Sequence, residues 1–108
     1  MLHMRTILLA GLLTLVPTNA LLAEDKSFYS PVINLDMENH RVLISTLGSV
    51  FWIEVPEAGH PHMEKLPVSG LVDFVVEMRA NGQPPLIKTW KVKSGDSTCM
   101  YFNGKECK

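Results

Sequence analysis

The sequence predicts a mainly β fold: a small antiparallel β-sandwich or open barrel of five to seven strands, with a C-terminal disulfide-stapled hairpin. Three observations lead there. Residues 71–80, LVDFVVEMRA, alternate apolar and polar positions with a period of two. RVLIST and SVFWIEV are short runs of β-branched and aromatic residues parted by Gly48-Ser49. Near the end of the chain, the turn signal Asn103-Gly104 lies between Cys99 and Cys107.

In chain order, residues 1–23 read as a cleaved secretory signal peptide: Arg5 precedes an apolar run over residues 7–16, Pro17 breaks it, and small residues lead to an acidic start. Cleavage is expected after Ala23, with Ala20 as the alternative. The run falls well short of the roughly 20 apolar residues that span a bilayer, so no stable membrane anchor is expected after cleavage. This places the protein in a secreted or periplasmic location. No asparagine lies in an Asn-x-Ser/Thr sequon, which agrees with a bacterial periplasm.

Residues 24–30, EDKSFYS, carry no period and are expected to form a flexible N-terminal arm, with a single β-rich domain over residues 31–108. Pro31 opens a short strand, VINLD. In SVFWIEV, Phe51, Ile53 and Val55 alternate with Val50, Trp52 and Glu54. The second face is thus also largely apolar, and Val50, Trp52 and Glu54 become a candidate partner-binding row. Residues 56–70 hold three prolines and two glycines, a density that predicts an irregular loop and no helix. The 71–80 strand should turn Val72, Phe74, Val76 and Met78 inward, with NGQPP as the following hairpin loop. LIKTWKVK sets Leu86, Lys88, Trp90 and Val92 against Ile87, Thr89, Lys91 and Lys93, and its lysines predict an edge strand.

A three-residue loop of Phe102, Asn103 and Gly104 sets Cys99 opposite Cys107, which predicts a disulfide across the last hairpin. Oxidation is expected in an exported chain, and seven intervening residues match neither common zinc spacings nor a dithiol redox pair.

The chain has ten basic and eleven acidic residues; Arg5 leaves with the leader, so nine face eleven and the net charge becomes −2. That balance excludes a nucleic-acid partner. Acids dominate residues 24–64, seven against two bases, while residues 65–108 carry seven bases against four acids, an asymmetry able to steer a charged partner.

GHPHMEK, residues 59–65, is the main candidate for ligand chemistry. In an extended backbone His60 and His62 project to one side, Met63 follows, and Met37 and His40 lie upstream in MENH. Imidazole and thioether donors together suit copper in an exported protein. No Ser/His/acid set, Gly-rich phosphate loop or H-E-x-x-H run occurs. Gly95-Asp96-Ser97 is followed by eleven residues without a histidine, so it lacks the partner of a serine nucleophile. The expected function is therefore a small exported non-enzymatic binding or accessory protein, acting through protein–protein contacts with another envelope or secreted protein. The alternatives are a periplasmic protein binding copper or another transition metal, and a secreted structural or effector domain without a dedicated ligand.

Overall fold

The computed structural model describes residues 24–46 and 48–108. The signal peptide expected over residues 1–23 lies outside the described residues. Six strands follow in order: β1 (Glu24–Asp36), β2 (Arg41–Thr46), β3 (Ser49–Glu54), β4 (Leu71–Met78), β5 (Leu86–Val92) and β6 (Tyr101–Phe102). A 3-10 helix, Glu57–Lys65, connects β3 to β4. The strands form one sheet in the order β3-β2-β1-β4-β5-β6, and Glu54 of β3 also pairs in parallel with Leu86 of β5. Since β4 returns to lie beside β1, the first four strands are a Greek key. The β3–β5 contact curls the first five into a partly open barrel with the connectivity of the OB type.

The flexible arm expected at residues 24–30 is instead the first half of β1. It pairs with β4 from Glu24 opposite Met78 to Pro31 opposite Leu71, and the second half of β1 pairs with β2. Pro31 has no N–H to give to either neighbour. At this handover the buried Ser30 hydroxyl accepts the Ser45 N–H at 2.9 Å and donates to the Pro31 carbonyl at 2.7 Å. Ile33 is then one residue too many: Val32 lies opposite Ile44, but Asn34 lies opposite Leu43. Such a bulge bends the strand and shifts which positions face the core.

β4 is as expected, with Val72, Phe74 and Val76 fully buried and Met78 packed at the margin. β5 differs in two ways. It lies between β4 and β6, so its lysines do not mark an edge. It also carries a bulge: Val75 opposes Thr89 while Val76 opposes Ile87, and the extra Lys88 lets Ile87 and Trp90 both face inward. The β4–β5 turn matches expectation, with Asn81 and Gly82 at φ of 63° and 73°.

The expectation of no helix over residues 56–70 is corrected. Pro61 in the middle of the segment is incompatible with an α-helix, while Pro56 and Pro67 lie at and beyond its ends, and 3-10 turns need only i→i+3 bonds. Gly59 N–H donates to Pro56 C=O at 2.8 Å and Leu66 N–H to Met63 C=O at 3.1 Å. Met63 and Leu66 enter the core alongside Phe74, Trp90 and Phe102. Gly59 allows this approach, since a Cβ there would lie 2.9 Å from Val55 Cγ1. The helix plugs one end of the barrel.

Cys99 and Cys107 form the expected disulfide, with Cα atoms 5.2 Å apart. The hairpin register differs: Phe102, not Cys99, opposes Cys107, and Tyr101 and Lys108 exchange backbone hydrogen bonds. Asn103 Oδ1 accepts the N–H groups of Lys105 and Glu106, which moves the turn toward the C-terminus. Cys99 reaches the hairpin from the β5–β6 connection. A loop this short is worth roughly 2–3 kcal/mol by chain-entropy reasoning.

Candidate functional site

Alternation along β3 puts Phe51, Ile53 and Val55 toward the core, with Ile53 and Val55 buried and Phe51 edge-on to Phe28 at 5.4 Å. Val50, Trp52 and Glu54 therefore face outward. Val50 is 58% exposed and Trp52 half-buried. Across the ladder, Trp52 lies opposite Leu43 of β2, which in turn lies opposite the exposed Asn34 of β1, next to the bulge residue Ile33, 40% exposed. Leu43, Trp52 and Val50 thus form an outward apolar strip on β2 and β3, with Ile33 at its β1 margin beside Asn34. Leu43 was legible as the outward apolar position in RVLIST. Ile33 was not, because its placement depends on the bulge.

Glu54, the third member of the expected row, is occupied within the chain. Arg79 Nη2 donates to its carboxylate at 2.5 Å, and Arg79 Nε donates to Pro84 C=O at 2.9 Å. Together with the Glu54 N–H to Pro85 C=O bond at 2.8 Å, this clips the β4–β5 loop to the end of β3, where the barrel closes. Val50 stays exposed and Trp52 half-buried on the outward face.

The expected His/Met cluster is not assembled. His40 and His60 stack at 3.5 Å with planes 7° apart, and His60 Nε2 lies 3.0 Å from Val55 C=O, so that nitrogen donates rather than offering a lone pair. His62 takes another direction, with Nδ1 3.3 Å from Lys65 Nζ and its ring 6.1 Å from Phe102. Met63 is fully buried in the core, and Met37 is exposed on the β1–β2 turn. A 3-10 turn has three residues per turn, so side chains two apart diverge, unlike those of an extended strand. Among the described residues no group of three or more His, Cys, Asp or Glu is placed to hold a metal ion. The His40–His60 stack instead fastens the β1–β2 turn to the start of the helix, together with the Val55 N–H to His40 C=O bond at 2.8 Å.

On that turn Asn39 donates from both its side chain (2.9 Å) and its backbone (3.1 Å) to Asp36. These bonds, the side-chain one first, hold the Asp36 carboxyl below the usual carboxylate range.

An open cleft of about 660 Å³ lies between the end of the helix and the β5–β6 connection, lined by Glu64, Lys65, Pro67, Asp96 and Ser97 among others. The Ser97 hydroxyl donates to Lys65 C=O at 2.6 Å and accepts the Cys99 N–H at 2.9 Å. It is a structural tie between the helix and the disulfide. The chain matches no family model, no curated protein and no solved structure.

Proposed function

We propose that the protein is a small exported binding module that docks on another exported protein through the outward face of β2 and β3. The observation that carries this reading is the apolar strip of Leu43, Val50 and Trp52, with Ile33 at its margin, in which a tryptophan sits half-covered beside a 58%-exposed valine. An aromatic anchor set in apolar surroundings is the usual centre of a protein interface. Among the described residues His40, His60, His62 and Ser97 are engaged in ties within the fold, which leaves this strip as the surface best suited to recognition.

The test is site-specific photo-crosslinking in the envelope of the source cells, with the probe at Val50 or, on a different surface, at Val68, which is 54% exposed. A discrete adduct is expected from Val50 only. Trp52→Ala should weaken that partner at least about ten-fold while lowering stability by less than the matching 1.4 kcal/mol. Equal adducts from both positions, or a stability loss as large as the loss in binding, refutes the assignment.

A further inference from the structure

β3 has a second surface besides its outward face: the backbone edge turned away from β2. The Glu54 N–H points to this edge, since it reaches Pro85 C=O, whereas the Val55 N–H points to the β2 side, at His40 C=O. By alternation the N–H and C=O groups of Val50 and Trp52 share the direction of Glu54. Among the described residues neither residue has a hydrogen-bond partner on that side, because the β3–β5 pairing is confined to Glu54 and Leu86. Among the described residues nothing blunts this edge. Residues 49–53, SVFWI, contain no charge and no proline, and the β2–β3 register has no bulge. Natural sheets protect exposed edges with such devices.

We propose that this edge pairs with the β3 edge of a second copy of the chain, antiparallel and with Phe51 on the two-fold axis. The inference rests on the reading of β3 as a recognition element and names its occupant. In this register Val50 of each copy lies opposite Trp52 of the other, and both residues exchange N–H and C=O bonds with their counterpart, so every edge group of the pair is matched. The outward side chains then form two aromatic–β-branched cross-strand pairs, a favourable combination on a sheet. No other two-fold register does this. Centring on Trp52 sets Val50 against Glu54, whose N–H is already bound to Pro85, and centring on Val50 sets Trp52 against Gly48. Charge also permits self-association: the segment is neutral and the nearest carboxylate, Glu54, is paired with Arg79.

Five residues of strand extend about 17 Å, and contact of this length buries less than the roughly 1,000 Å² of a stable interface, so the dimer is weak and concentration-dependent. The test is sedimentation velocity on the protein recovered after expression with its own leader, from about 10 μM to about 1 mM, with amide exchange read in parallel. Monomer should give way to dimer across that range, with slowed exchange at the Val50 and Trp52 amides. Val50→Pro removes an edge donor that β2 does not use, and Val50→Lys removes both valine–tryptophan pairs and sets two like charges diagonally across the two-fold; each should hold the chain monomeric at the highest concentration. Should Val50→Pro fail to fold, Val50→Lys carries the comparison alone. A wild type that stays monomeric at 1 mM, or a dimer that survives Val50→Lys, overturns the proposal. A wild type that is monomeric yet still gives the Val50 adduct to a different protein leaves the binding-module reading standing and removes only the self-pairing.

Discussion

Met63 separates the two readings of the GHPHMEK segment more sharply than its histidines do. The side chain is fully buried among the core residues that close the barrel end. Replacing it with alanine removes three heavy atoms, a transfer loss of about 2 kcal/mol. It also leaves a cavity of roughly 70 Å³ before relaxation; at about 24 cal/mol per Å³ and with partial collapse this adds about 1 kcal/mol. The total, about 3 kcal/mol, is a large share of the stability of a small domain. With a urea m-value of about 1.5 kcal/mol/M, the unfolding midpoint of Met63→Ala should fall by about 2 M. If Met63 were instead a metal ligand on a surface loop, the metal-free midpoint would hardly move, and a stabilisation on adding Cu(I) would vanish with the substitution. A shift below about 0.5 M without metal refutes the buried placement and the plugging role of the helix with it.

Two further outcomes follow from the chemistry of the turns. Reduction should raise the intact mass by two hydrogen atoms, and Cys99→Ala/Cys107→Ala should lower the urea midpoint by an amount matching roughly 2–3 kcal/mol, read by far-UV circular dichroism; an unchanged mass on reduction contradicts the disulfide. Asn39→Ala should raise the Asp36 titration toward the ordinary carboxylate range, measured by NMR of its side-chain carbonyl carbon. Because the folded value is the depressed one, the associated stabilisation is complete above the unfolded value and is lost as pH falls through the folded one; no change in the titration midpoint contradicts the Asn39 contacts.

Much of the barrel was legible where local period and local pairing agree. β4 alternates cleanly because one face is buried and the other is not, and the Asn81-Gly82 turn was marked by residues that tolerate positive φ. The failures have a common cause in non-local pairing. EDKSFYS carries few apolar residues, yet it is a strand because β4 lies beside it, and its one fully buried residue is a serine. In β5 the extra Lys88 shifts the period mid-strand, so Ile87 and Trp90 belong to one face in space and to two faces in the sequence pattern. At the C-terminus the side chain of Asn103, rather than the Asn-Gly dipeptide alone, chose the turn. The separation of His60 from His62 has a reason of backbone form: proline density excluded an α-helix but left open the tighter helix, in which side chains two apart diverge. The row Val50, Trp52 and Glu54 was legible as a face, while the tie between Glu54 and Arg79 needed the fold, because it spans the β3–β5 closure.

β1 is a central strand of the sheet and also the first of the described strands to be synthesised, and this sets a timetable. Its two halves wait for different partners: Leu35 meets Val42 a few residues later, but Glu24 must wait for Met78, and the barrel has no closure until Leu86 can reach Glu54. Contacts so distant in sequence make for slow folding. Between the completion of β3 at Glu54 and that of β4 at Met78, a nascent chain of this protein therefore holds only the β1–β2–β3 meander, with one side of β1 and one side of β3 unsatisfied. Both open edges persist together until β4 arrives to cover the first.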